Sequence, residues 1–360
     1  MDARRGACYN RRPMRTYLLP PDLNWYRANL HCHTIHSDGF WPPERVKDEY
    51  RKAGFSVVAY SDHNVLVPHN DLTDENFVAL TATELDVSAQ KVPEDEMPFM
   101  VENGGWRYRP THHFNLFSKV PDPGPMPFHD NLWAVWHGDA FTGSEEEKKR
   151  RAVWNLENVQ HMVDEANEAG FLVQYNHPNW SLAEPQHFLP LKGLWSLEIL
   201  NWATEVETGG EYCPYVYDMM LRRMGPSLFC SMGDDNHNHG GDLMQSFGGS
   251  TMFGAKELTY DAIVQSMVKG EFYCTQGRED PPRILALYVE DGVVHVECTP
   301  CVLGWIVGDG RRYADKRVGP FTHAEFPLWK DDRWIRVQIR DARGNNANSH
   351  AYAVTPEFYR

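Results

Sequence analysis

Four times along the first three-quarters of the chain, an amphipathic stretch stops at a glycine, gives way to a short apolar run, and ends in a polar cluster. Pro42 and Pro43 open the first, ERVKDEYRKA, where Val46, Tyr50 and Ala53 share one face and Gly54 ends the helix. The run FSVVAY follows, then SDHN. The second carries Val153, Leu156, Val159, Val163 and Ala166 at helical spacing, stops at Gly170, and leads through FLVQY to NHPNW. The third passes through PYVYDMMLRRM and Gly225 to SLFCSM and GDDNH. In the fourth, Thr259 is placed to cap YDAIVQSMVK, which ends at Gly270 before EFYCTQ. Such alternation predicts parallel strands joined by crossover helices. Polar clusters just past strand ends fall where α/β proteins build their sites. SDHN, NHPN and GDDNH are therefore expected to face one another.

The texture changes near residue 280. ILALYVEDGVVHVEC is two alternating runs around Asp291-Gly292, a hairpin signal, and RWIRVQIRDARGN alternates as a half-buried strand. The organisation expected is an N-terminal arm over 1–27, an α/β domain over 28–279 and a small all-β domain over 280–360. Within the second lies an irregular Pro-, Trp- and charge-rich insertion, 88–150, read as a wall or lid of a pocket.

Composition narrows the function classes. The 360 residues are 42% hydrophobic, enough for a substantial core, and the net charge of -15 argues against a nucleic-acid or anionic-membrane surface. Seven scattered cysteines suit a reducing compartment better than a disulfide framework, and the lone Cys298–Cys301 pair has no partners to complete a zinc site. Arg4, Arg5, Arg11, Arg12 and Arg15 precede no apolar run of the kind a secretory or twin-arginine signal needs. No stretch approaches the roughly 18 apolar residues of a membrane span. A cytoplasmic protein is expected.

The candidate chemistry is metal binding. HCHTIHSDG, residues 31–39, holds three histidines and an aspartate, and His31 and His33, two apart on a strand, point to the same side. With them stand Asp38, His63, Glu84, His113, His177, Asp235 and His237, nine ligand-type residues beside strand ends. Burying so many ionisable groups without a metal would be costly. Imidazole with carboxylate suits Zn, Mn or Fe. Asp62 and Asp234, each next to a candidate ligand, are placed to orient His63 or to bond a metal-held water. His36 and His239 flank the ligand segments. Arg278, with His187 and His137 behind it, is the candidate positive clamp for an anionic group beside the metals. No serine or cysteine nucleophile and no phosphate-cradling glycine loop is signalled.

In order along residues 28–280, HCHTIHSDG, SDHN, ATELD, HHFNLF, NHPN and GDDNH, with the softer LEILN and TQG, resemble the motifs of the polymerase-and-histidinol-phosphatase (PHP) domain family. The resemblance implies a distorted (β/α)7 barrel with two or three divalent metals at the strand C-termini, held by the nine residues above. His113 is taken over its neighbour His112 because HFN follows it. The C-terminal segment resembles the accessory β domain of stand-alone members. The activity implied is hydrolysis of a small phosphorylated metabolite or nucleotide by a metal-bridging hydroxide. An amidohydrolase-like attack on another bond and a non-catalytic metal-binding domain are the alternatives. A small-molecule phosphorylated substrate is the expected partner, without nucleic acid or membrane. TQGREDPPR around Arg278 departs from the smaller residues of the family at that place, which puts substrate fit in question.

Overall fold

The computed structural model describes residues 15–88, 110–124, 155–311 and 315–359. Most of the 88–150 insertion, His137, and the arginines before Arg15 lie outside the described residues. Strands β1 (Thr16–Leu19) and β2 (Asn24–Asn29) precede helix α1 (Pro43–Lys52), and β3 (Val57–Tyr60) completes the first expected helix–strand unit. The chain continues through β4 (Val78–Ser88) and β5 (Thr111–Ser118) to the second unit, α2 (Leu156–Glu168) and β6 (Phe171–Tyr175). A short α3 (Pro185–Phe188), β7 (Ser196–Asn201) and α4 (Trp202–Thr208) lead to the third, α5 (Pro214–Met224) and β8 (Phe229–Gly233). Then come β9 (Gly249–Ala255) and the fourth, α6 (Tyr260–Lys269) and β10 (Phe272–Gln276).

Local chemistry accounts for the helix ends. Asn155, Asn201 and Thr259 side chains accept from the first-turn amides of α2, α4 and α6, and Gly270 closes α6 at φ 71°. The buried stripes fit the helical spacing of the sequence. Val159, Met162, Val163 and Ala166 of α2 share one apolar core with Phe171 and Val173 of β6 and with Val216, Tyr217, Met220 and Leu221 of α5.

Among the described residues the strands form one large mixed sheet of sixteen strands, not the clearly closed (β/α)7 barrel expected. β2, β3 and β4 are parallel, and so are β6, β7 and β8. Between them β5 runs antiparallel to both β4 and β6. This strand lies inside the stretch read as irregular. All eight of its residues are buried, yet THHFNLFS lacks the continuous apolar run that marks a strand buried on both faces. β10 pairs antiparallel with β9, so the fourth unit does not extend the parallel set. The end of β8 returns to the end of β2 through Asp235 N–H to His31 O (2.8 Å) and His33 N–H to Asn236 O (3.2 Å). That join is a bridge at one end, not a ladder, for a physical reason. Over Asn24–Ala28 the free edge of β2 is already taken by β9. The backbones of β8 and β9 cross so closely that a Cβ on Gly249 would sit 2.2 Å from Gly233 O.

Among its described residues the C-terminal part is built of strands and their connections, with one short 3-10 turn, Pro356–Tyr359. It comprises β11 (Ile284–Glu290), β12 (Val293–Gly308), β13 (Asp315–Pro327), β14 (Trp334–Arg340), β15 (Asn346–Ser349) and β16 (Tyr352–Ala353). The expected hairpin forms at Asp291-Gly292, with φ 49° and 76°, the positive pair a tight primed turn requires. This part has a core of its own, including Cys298 and Cys301, and the six described cysteines are free thiols. It is not a detached layer, because β15 pairs with β10 across the expected boundary at 279/280. Residues 16–27 are likewise not an arm: β1 pairs with β11, and β2 is internal to the sheet. Among the described residues no helix is long and apolar enough to cross a membrane.

Candidate metal centre

All nine expected ligands come together at one end of the sheet. His31 and His33 continue β2, His63 follows β3, Glu84 lies in β4, His177 follows β6, and Asp235 and His237 follow β8. His113 sits near the start of β5, and the reversed direction of that strand puts its beginning at the same end as its neighbours' C-termini. Strand alternation decides between the two adjacent histidines. His113 Nδ1 meets Glu84 Oε1 at 3.0 Å, whereas His112 turns to the other face and bonds Tyr175 Oη at 3.0 Å.

Glu84 is the hub. Its buried carboxylate lies 3.2 Å from His31 Nε2, 3.3 Å from His33 Nε2, 3.1 Å from His63 Nδ1 and 3.2 Å from His177 Nε2, besides His113. Asp235 Oδ1 is 2.8 Å from His33 Nε2 and 3.2 Å from His31 Nε2. On the outer side Asp38 approaches His237 Nε2 at 3.4 Å, His33 Nδ1 at 3.7 Å and His63 Nε2 at 3.9 Å. Donor atoms gather in overlapping groups: His31, His33, Glu84 and Asp235; His33, Asp38, His63 and His237; His63, Glu84 and His113.

The chemistry of this donor set fits metal ions. His31 Nε2, His33 Nε2 and Asp235 Oδ1 are buried and close, yet none makes a hydrogen bond of ordinary geometry. Buried polar atoms left this way are rare unless something else satisfies them, and three lone-pair donors aimed at a shared space would be satisfied by a cation. The far nitrogens of these rings are held by other groups, as metal-binding imidazoles require. His31 Nδ1 bonds Glu198 at 3.1 Å, His177 Nδ1 bonds Ser181 Oγ at 3.1 Å, and His237 Nδ1 bonds the Asp235 carbonyl at 2.9 Å. Burial alone would raise the Glu84 and Asp235 carboxyls, but the surrounding imidazoles, His31 foremost, outweigh it and hold both well below the ordinary carboxylate range. Burial lowers His63 to about 4, keeping its ring neutral and able to ligate.

The three residues expected to act beside the metals lie elsewhere. Asp62 does not orient His63: its oxygens accept from Thr34 N (2.7 Å), Thr34 Oγ1 (2.8 Å) and Ser37 Oγ (2.8 Å), so it fixes the loop that carries His33 and Asp38. Asp234 turns away from the cluster to receive Tyr50 Oη and the amides of Phe247, Gly248 and Gly249. Burial lifts its pKa to about 6, and those donors oppose the rise. The next residue, Asp235, is aimed inward by a left-handed backbone at φ 55°. Arg278 is exposed, and none of the described contacts links it to the cluster. His187 is drawn into the N-terminal cap of α3 instead. His239 stays beside the cluster, its ring stacked at 5.7 Å on His237, while His36 stacks on His69.

Glu198 was missed by sequence reasoning. It is fully buried on β7 beside His31, and Asn201 Nδ2 ties it to the centre by donating to Glu198 Oε2 and Asp235 Oδ2, both at 3.0 Å. Its signal was present, a lone carboxylate inside the apolar strand run SLEILN. Glu211, also buried, receives the amides of Asn179 and Trp180 and so holds the loop after His177. Burial pushes its pKa from 4.5 to about 8. The folded chain therefore binds a proton that the unfolded chain releases across this window. The stability it confers is full below the unfolded pKa and falls as pH rises toward the folded one, by up to about 1.4 kcal/mol per pH unit. Glu211→Gln is expected to flatten the melting temperature against pH between those two values; an unchanged slope would place the titrating group elsewhere.

A cavity of about 840 Å3 lined by Leu172, Leu191, Trp195, Arg223 and Phe229 contains none of the nine residues. No protein-family model and no curated protein matches the sequence. Among solved structures, the chain is similar to a two-domain protein from Bacteroides vulgatus described as containing a predicted PHP-like metal-dependent phosphoesterase. The identity is 15% and the TM-score 0.43, over 95% of this chain and 98% of that one. It is also similar to a candidate metal-dependent phosphoesterase from Bifidobacterium adolescentis, at 16% identity and TM-score 0.35, over 58% and 87% of the two chains. A third likeness is to an amidohydrolase from Chromobacterium violaceum with bound sulfate and no metal, at 14% identity and TM-score 0.38, over 68% and 96%. PHP-like metal-dependent phosphoesterase structures are thus among the structural neighbours of this chain, and likenesses this distant assign it no activity.

Proposed function

We propose that the protein is a metal-dependent hydrolase of the PHP type acting on a small phosphorylated molecule. The observation that carries the reading is the buried cluster in which His31, His33 and Asp235 aim unsatisfied atoms at a shared space ringed by Glu84, His63, His113, His177, Asp38 and His237. Those nine residues would hold two or three divalent ions. When bound, such ions lower the pKa of water and stabilise negative charge on the oxygens of a displacement at phosphorus.

The protein's own groups prepare this. Glu198, Ser181 and the Asp235 carbonyl fix ring orientations, and Asp62 holds the 34–37 loop through Thr34 and Ser37. Substrate approaches over Asp38 and His237, whose side chains are 29% and 17% exposed while His31 and His33 are closed off. Trp180, 44% exposed, sets its ring edge-on to His113 and His177 and forms one wall. With Arg278 away from the cluster, His239 is, among the described residues, a solvent-facing donor beside it.

Elemental analysis of protein purified without chelators is expected to find two or three ions per chain, with a clear loss in His63→Ala. Phosphomonoester and phosphodiester panels should then show hydrolysis that chelation abolishes. One ion or none after reloading with Mn and Zn would overturn the reading. Turnover of amides alone would move the reaction to another bond.

A further inference from the structure

A second set of metal-type donors lies on the C-terminal strands, away from the buried centre. β12 lies between β11 and β13, and its His295 faces Tyr288 on one side and Glu325 on the other. His323, two residues before Glu325 on β13, projects to the same face and is directly opposite Glu297. His295 Nδ1 and His323 Nε2 are 3.3 Å apart, and Glu325 Oε1 lies 3.7 Å from the first and 4.0 Å from the second. The His295 ring is held flat on Tyr288, with centroids 4.8 Å apart and planes 7° from parallel.

We infer that His295, His323 and Glu325 form a surface site for a divalent transition metal of the zinc class, distinct from the buried centre. An ion bound tetrahedrally at about 2.0–2.1 Å sets its donors about 3.3–3.4 Å apart. The two ring nitrogens already stand at that separation. Glu325 must move only a few tenths of an ångström, and its side chain is 60% exposed and free to do so. Two imidazoles and one carboxylate suit Zn, Ni or Cu over Mg or Ca. Glu297, exposed on the same face, can supply a fourth donor from across the ladder. The bound ion clips β12 to β13, and by mass action it stabilises the fold as free metal rises.

The test is a zinc titration of the full-length chain, counting bound zinc by equilibrium dialysis across the micromolar range for the parent, His323→Ala and Glu325→Ala. His323 and Glu325 are exposed, and coincident melting curves in chelator would show that the variants fold. The parent is expected to bind one more zinc per chain than either variant, and zinc should shift the ring resonances of His295 and His323 together. Coincident isotherms for all three proteins would overturn the site and leave the pair as an ordinary imidazole–imidazole hydrogen bond. A failure of the buried centre lowers the total equally in all three and leaves the one-ion difference intact, so the two readings fail separately.

Discussion

If the proposed function holds, replacing Glu84 with alanine is expected to remove at least one metal ion per chain and to abolish the proposed hydrolysis. Its carboxylate is within 3.0–3.3 Å of five imidazoles drawn from strands β2, β3, β5 and β6 or their ends. Among the described residues no other carboxylate of the centre lies as close to as many imidazoles. The loss also reaches the metal-free fold. Removing one partner from a buried charged contact leaves the other uncompensated, at a cost of about 3–5 kcal/mol. Glu84→Gln separates the two effects, since it keeps the volume and one acceptor oxygen while losing the charge. Metal content and urea unfolding of the stripped protein are the measurements. Unchanged metal content in Glu84→Ala would mean that the histidines gather for packing alone.

Glu198→Ala is expected to weaken metal binding by about 10- to 100-fold, the range for groups that orient a ligating histidine. Glu198 accepts from His31 Nδ1 and so holds the ring with Nε2 directed at Glu84 and Asp235. Without it His31 is free to take the other tautomer or to turn. Gln in its place still offers a carbonyl oxygen to Nδ1 and should recover much of the affinity, which a merely space-filling role would not predict. Competition against a chelator of known affinity reads the difference. Equal affinity in parent and Glu198→Ala would confine this residue to the packing of β7.

The places where sequence and structure parted share a cause. β5 was hidden because it is buried on both faces yet carries polar residues in place of a continuous apolar run, and flanking Pro-rich segments masked its ends. Asp62 and Asp234 sit one residue from members of the cluster, but neighbouring side chains leave the backbone in different directions, and the left-handed backbone of Asp235, at φ 55°, turns it away from Asp234. Their carboxylates are therefore consumed by backbone and hydroxyl donors of neighbouring loops. Arg278 follows a strand as a clamp would, yet β10 is hydrogen-bonded to β9 and β15 and does not join the set of strands whose ends carry the ligands.

Local order was legible from residue pattern alone. The four helix–strand units and the Asp291-Gly292 hairpin rest on periodicity and capping within about a dozen positions, and the nine metal-type residues on residue chemistry together with the resemblance to the PHP motifs. Only the tertiary structure decided direction, closure and partnership. β5 runs backward, β9 takes the edge of β2, and β15 joins β10 across the expected boundary. Glu198 meets His31 across 167 residues of chain. Such contacts depend on which edges and faces remain free once the strands have paired. That is a property of the assembled sheet, and no short stretch of sequence carries it.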